Sequence, residues 1–153
     1  MSTLIIYYSL TGHVKKFVEK LKEETNFESF EITTKSTFQY KGPLKFIAGG
    51  FQSISGSNPA INDFNLNLDD YDRFIFISPV WAEGYAAPFN SFLTKYDFAN
   101  KEIIIGVSCM GSHKSAIKKF KTKLPMSKII DTFVIYDKKF EENDLVIKSL
   151  KKY

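Results

Sequence analysis

Apolar and polar positions follow two different periods along this chain, and the switches between them mark its elements. Leu4, Ile5, Ile6, Tyr7 and Tyr8 form a continuous apolar run, which predicts a buried strand. Ser9, Leu10, Thr11, Gly12 and His13 interrupt it. Val14, Phe17, Val18 and Leu21 then recur at helical spacing, with Lys15, Lys16, Glu19, Lys20, Lys22 and Glu23 on the opposite face. The stretch reads as strand, tight polar turn and an amphipathic helix from Gly12 to Glu24, stopped at Asn26. Phe30 and Ile32 alternate with Glu31 and Thr33, which predicts a second, edge-like strand over Phe27 to Thr33.

The pattern loosens from Thr34 to Asn67. Pro43 can open a helix through Leu44, Phe46, Ile47, Phe51 and Ile54, interrupted by Gly49 and Gly50, and Ser55 to Pro59 is turn chemistry. Order returns with Phe74, Ile75, Phe76 and Ile77, a third strand. Ser78 to Tyr85 follow as an expected loop, then a helix with Phe89, Phe92 and Leu93 inward runs to about Tyr96. Ile103 to Val107 predict a fourth strand ending in Ser108, Cys109, Met110, Gly111 and Ser112. Ala116, Ile117, Phe120 and Leu124 mark a helix whose outer face carries Lys114, Lys118, Lys119 and Lys121. Ile129, Ile130, Phe133, Val134 and Ile135 predict a fifth strand, and Phe140 to Tyr153 a closing helix.

Five strands alternating with helices, the central ones apolar without a break, predict an α/β domain: a doubly wound, five-stranded parallel sheet covered on both faces. Ligands of such sheets bind outside the carboxyl ends of the strands, where the strand order reverses. Three polar, small-residue loops follow apolar strands here, after Tyr8, Ile77 and Val107, and the fold would bring them to one rim.

Composition narrows the class without changing this picture. A length of 153 residues fits one domain spanning 1–153, and 44% hydrophobic with 25% charged residues is ordinary for a globular chain. The aromatic share is heavy, with Phe 15 and Tyr 8, which fills a core and also supplies flat walls. One cysteine makes no intramolecular disulfide, no leader pattern follows Met1, and no apolar run nears the ~18 residues of a membrane helix. A cytoplasmic protein with no membrane partner is the expectation. The formal net charge of +4 comes almost wholly from lysine, with no arginine-rich or aromatic-basic patch, so no nucleic-acid partner is expected.

The first loop has the chemistry of an anion cradle. Ser9 and Thr11 supply hydroxyls, Leu10 to Val14 supply amides at the positive end of a helix dipole, and Gly12 lets the backbone come close. The plainer alternative is a strand-to-helix turn that uses Ser, Thr and Gly as caps. His13 reads as a surface residue lending its amide. Other chemistries lack their parts. Cys109 is followed after five residues by Ser115, where a cysteine phosphatase needs Arg. There is no G-x-G-x-x-G, no lysine-bearing phosphate loop and no acidic pair after the first strand, and His13 and His113 have no metal-ligand spacing. Cys109 reads as a buried thiol at a strand end.

At these residues the sequence resembles the flavodoxin-like family. Ser9, Leu10, Thr11, Gly12, His13 and Val14 are similar to that family's phosphate loop, and Pro79, Val80 and Trp81 to its second loop, where Trp or Tyr commonly covers the flavin ring. Ser108 to Ser112 fall where the third loop would be, and Gly49 to Phe51 and Gly56 to Pro59 are similar to a segment of small members. The resemblance implies strand order 2-1-3-4-5 and noncovalent FMN. The site it implies is Ser9 to Val14, Pro79, Val80, Trp81, Ala82 and Tyr85, with Ser108, Cys109, Met110 and Gly111. Tyr40 is a second candidate, beside Tyr85, for the far wall. No residue of the sequence stands out as a general acid or base, and no metal is expected.

Two departures qualify it. Val14 stands where the family has a last hydroxyl, a loss of roughly 0.5 to 1.5 kcal/mol that weakens FMN binding without abolishing it. The chain is basic, with pI about 9.0, where electron-carrier flavodoxins are acidic. The expected role is electron transfer as a monomer or homodimer, with a redox partner protein or an NAD(P)H-dependent reductase. The alternatives are a binding or scaffold protein that has lost FMN and a small FMN-dependent quinone or nitro reductase.

Overall fold

The computed structural model describes residues 1–35, 57–82 and 84–153. Its strands are β1 (Thr3–Tyr7), β2 (Glu28–Glu31), β3 (Arg73–Trp81), β4 (Gly84–Tyr85), β5 (Glu102–Cys109) and β6 (Lys128–Tyr136). Its helices are α1 (His13–Thr25), α2 (Pro88–Lys95), α3 (Lys114–Thr122) and α4 (Phe140–Leu150). The five longer strands pair in parallel in the order β2-β1-β3-β5-β6, with β4 antiparallel on the end of β3. With β4 set aside, this is the expected 2-1-3-4-5 order, reversing between β1 and β3. The expected helix from Pro43, the Gly49 to Phe51 segment, Tyr40 and Gly56 lie outside the described residues.

Successive side chains of a strand point to opposite faces, so an unbroken apolar run buries both. Leu4, Ile6, Phe74, Phe76, Ile103 and Ile105 pack with α2 and α3 residues on one face. Ile5, Tyr7, Ile75, Ile77 and Ile104 pack with Val14, Phe17, Val18 and Leu21 of α1 and Ile147 and Leu150 of α4 on the other. Among the described residues the aromatic rings are concentrated on the first face. There Phe76 lies with its ring centroid 5.8 Å from Phe89, 5.0 Å from Phe98 and 6.0 Å from Phe120.

Helix α1 ends as its sequence predicts, with Asn26 in the left-handed region at φ 58 and its N–H bonded to Lys22 O at 2.8 Å. Two boundaries differ from expectation. Strand β2 is shorter than Phe27 to Thr33, because β1 offers partners only from Leu4 to Tyr7, opposite Glu28 to Glu31. Strand β3 does not stop at Ile77. Ser78 and Pro79 stay paired with Val107 and Ser108 of β5, and the chain turns back at Ala82 so that Val80 and Trp81 pair with Tyr85 and Gly84. Pro79 is tolerated because β1 has ended at Tyr7, leaving β3 a ladder on one side only. Among the described residues no helix is long and apolar enough to cross a membrane.

Candidate functional site

The three loops meet at the carboxyl end of the sheet, around a cavity of about 110 Å³. The first loop lines it with Ser9, Leu10, Thr11, His13 and Val14, the second with Pro79, Val80 and Trp81, the third with Ser108, Cys109 and Met110. Gly12, Ala82 and Gly111 sit within or directly beside these stretches. The cavity lies at the β1/β3 reversal, where a doubly wound sheet places its ligands.

In the first loop the Tyr8 N–H still bonds Ile77 O at 3.1 Å, so the strand holds until the turn begins. Gly12 then adopts φ 92, ψ −8 as the N-cap of α1, a conformation that L side chains pay to enter. The Ser9 hydroxyl accepts from the N–H groups of Gly12 at 3.2 Å and Lys15 at 3.3 Å. Lys16 N–H closes the first turn on Gly12 O at 3.0 Å. Among the described residues the N–H groups of Leu10, Thr11, His13 and Val14 have no hydrogen-bond partner. Four unpaired donors, two in the first turn of a 13-residue helix and two just before its N-cap, have the chemistry that suits an anion. The Val14 side chain, 2% exposed, is buried with Ile5, Phe17 and Ile77, so this residue offers the cavity its backbone.

In the second loop Trp81 is buried against Tyr8, and burial pushes the Tyr8 phenol up to about 12. Ser78 is fully buried and holds the hairpin closed: its Oγ accepts the Ala86 N–H at 2.8 Å and donates to Pro79 O at 3.0 Å. Ala82 turns the chain at φ 44, where Gly or Asn is usual. Tyr85 is not brought to the cavity. Its ring lies 4.4 Å from that of Phe120, and its hydroxyl donates to Asn90 Oδ1 at 2.6 Å.

In the third loop Cys109 is the last residue of β5, buried, with its thiol bonded to Gly111 O at 3.3 Å. Burial pushes that thiol up, which favours its protonated form. Met110 is exposed.

One lining residue is absent from the sequence reading. Asp137, directly after β6, accepts a hydrogen bond from Ser108 Oγ at 3.3 Å and lies 3.7 Å from His13 Nε2. Its position as the first polar residue after the fifth apolar run is the signal in the sequence that marks it. A second cavity of about 540 Å³ adjoins the first, shares His13, Cys109, Met110 and Asp137 with it, and adds Tyr136, Lys138 and Lys139. The single arginine, Arg73, is at the opposite end of the sheet, where β3 begins. Among the described residues no group of three or more His, Cys, Asp or Glu could hold a metal ion.

Comparison with known proteins agrees with this architecture. Curated protein sequences gave no match. Among solved structures, the chain is similar to a flavoprotein from Lactobacillus acidophilus NCFM in complex with FMN, at 24% identity and a TM-score of 0.76, over 94% of this chain and 98% of that one. The apo-form of the flavoprotein from the same organism is 26% identical, with a TM-score of 0.70 over 93% and 96% of the two chains. Two-electron reduced Megasphaera elsdenii flavodoxin is 14% identical, with a TM-score of 0.60 over 99% of each. A family model described as Flavodoxin matches residues 2–152, nearly the whole length, and the chain belongs to the flavodoxin family.

Proposed function

We propose that this chain binds FMN noncovalently, with the phosphate in the α1 cradle, and that it carries electrons through the bound flavin. The observation that carries the reading is the set of unpaired amides of Leu10, Thr11, His13 and Val14, residues that line a cavity bounded by Trp81. The donors fit the group. A phosphate needs several N–H and O–H donors at once, and the loop offers four amides and the Thr11 hydroxyl. A Cβ built on Gly12 would meet nothing within 4 Å, so the backbone there is open to a ligand. No lysine or arginine lines this cavity, which leaves charge stabilisation to the amides and the helix dipole.

When bound, the flavin supplies one- or two-electron transfer. The chain's own part is to hold the phosphate, to bound the site with Trp81 and to keep the Cys109 thiol protonated. The burial of the Val14 side chain supports FMN binding over a scaffold that has lost its flavin, since that position can still serve through its backbone. The lysine excess suits an acidic redox protein or an NAD(P)H-dependent reductase as partner, and a single buried cysteine suits the cytoplasm.

A fluorescence titration tests this. FMN is expected to bind at micromolar concentration with quenching of flavin emission. Riboflavin, which lacks the phosphate, is expected to bind at least about tenfold more weakly, since several hydrogen bonds of roughly 0.5 to 1.5 kcal/mol are lost. No FMN binding, or equal affinity for riboflavin, overturns the proposal. The adjoining cavity of about 540 Å³ favours a second reading, a quinone or nitro reductase with room for substrate beside the flavin. Oxidation of NAD(P)H by a quinone, catalysed by the FMN-loaded protein, would establish that reading over the carrier.

A further inference from the structure

Resting on the reading of a phosphate cradle, we infer that His13 and Asp137 form a proton-controlled charge pair that sets how tightly the cradle holds its anion. His13 is the first residue of α1 and Asp137 the first residue after β6. Both line the cavity that Leu10, Thr11 and Val14, with their unpaired amides, also line, and His13 Nε2 is 3.7 Å from Asp137 Oδ2. Asp137 is anchored by the Ser108 hydroxyl on its other oxygen, at 3.3 Å, and is mostly sheltered, whereas the His13 side chain is half exposed and open to protons.

A carboxylate beside an anion site opposes binding, because like charges repel most where water is partly excluded. With His13 protonated the pair is neutral. With His13 neutral it presents a bare negative charge to the phosphate. The charged and titratable groups around the pair are Lys16 and Lys20 of α1, Lys138 and Lys139 of the following loop, Asp144 of α4, the Cys109 thiol, the Tyr136 phenol and, with its ring centroid 6.5 Å from that of Tyr136, His113 before α3, whose titration is common to the wild type and the His13 variant. Lys20 is bonded to Asp144 at 2.5 Å and Lys139 to Glu142 at 3.1 Å. Burial pushes the Cys109 thiol up, and imidazole is the side-chain type whose charge can be switched by a proton around neutral pH. Affinity for FMN therefore falls as His13 loses its proton.

The phosphate of FMN also titrates near pH 6, so the test compares variants at each pH rather than one protein across pH. FMN is titrated by fluorescence into wild type, His13→Gln and Asp137→Asn at about pH 5.5 and about pH 8 and low ionic strength. At the lower pH the wild type is expected to bind roughly three- to tenfold more tightly than His13→Gln, the scale of one partly screened charge, and at the higher pH that ratio falls towards one. Asp137→Asn is expected to bind more tightly than wild type at about pH 8. A ratio of wild type to His13→Gln that is the same at both pH values overturns the inference while leaving FMN binding intact. So does an Asp137→Asn variant that matches wild type at the higher pH. Absence of FMN binding by the wild type overturns the proposed function and this inference with it.

Discussion

The rings of Tyr8 and Trp81 meet edge to face, with centroids 5.5 Å apart and planes at 88°. This contact joins the carboxyl end of β1 to the carboxyl end of β3, across the reversal of strand order, and fixes the tryptophan that bounds the cavity. Edge-to-face pairs contribute about 0.5–1.5 kcal/mol beyond burial, whereas truncating a buried aromatic ring costs about 3–5 kcal/mol. Tyr8→Leu should therefore lower stability to urea modestly, and Trp81→Ala severely. Trp81 is the only tryptophan, so wild-type emission should be blue-shifted and should move red in Tyr8→Leu as the indole loosens. Unchanged emission in Tyr8→Leu would show that the contact does not hold the ring.

Gly106 faces Phe133 on the neighbouring strand, and a Cβ built there would fall 2.2 Å from Phe133 Cζ. The ring cannot easily retreat, because it is stacked on Phe17 at 5.9 Å. Gly106→Ala should cost about 1–3 kcal/mol by overpacking. Phe133→Leu should make room for the methyl group, so the double variant should be more stable than the sum of the two single losses by about 1 kcal/mol. Additive losses in denaturant midpoints would count against the contact.

What could be read from the sequence followed from how local its cause was. The continuous runs at Leu4 to Tyr8, Phe74 to Ile77 and Ile103 to Val107 marked central strands because both faces of each strand are buried. The Ser9 to Val14 turn was legible because cap chemistry lies within six residues. The strand order was legible through the family resemblance, not through periodicity. The hairpin after Ile77 was not, since Pro79, Ala82 and Gly84 are loop residues by composition and the turn is held by a bond between Ser78 and Ala86. Asp137 was missed for a related reason. Its contacts with His13 and Ser108 exist only once β5 and β6 lie side by side and α1 packs beside them. Val14 shows the opposite limit, where a family pattern directed attention to a side chain that the fold buries in the core.

The Ser78 hydroxyl makes a prediction of its own. Replacing it with alanine leaves the Ala86 N–H buried without an acceptor, at a cost of about 1–3 kcal/mol. The loss should be local before it is global. In hydrogen exchange the Ala86 and Tyr85 amides of Ser78→Ala should lose protection while Ile104 and Ile105 in β5 keep theirs up to the global unfolding limit. Uniform loss of protection would mean that Ser78 supports the sheet as a whole and not the hairpin.

At the other end of the sheet, Glu102 accepts hydrogen bonds from Arg73 Nε at 3.1 Å and Nη2 at 2.7 Å, and from Lys128 Nζ at 3.1 Å. The Arg73 guanidinium is fixed in turn by the Tyr153 carbonyl at 2.8 Å. The bonds from Arg73 first, and from Lys128 next, hold the Glu102 carboxyl below its usual range. A carboxyl that is more acidic in the folded chain than in the unfolded one binds its proton preferentially in the unfolded state. Its contribution to stability is thus complete above the ordinary glutamate value of about 4.3 and is lost as pH falls through the folded value. Glu24, held low by Lys151, and Asp63, held low by Lys95, act in the same direction, so no single substitution should remove the whole acid dependence. Glu102→Gln should lower the urea midpoint at neutral pH and reduce its further fall between about pH 5 and pH 3, bringing the two proteins together in acid. Parallel midpoint curves across that range would mean that Glu102 titrates alike folded and unfolded, and that Arg73 holds the strand end by packing alone.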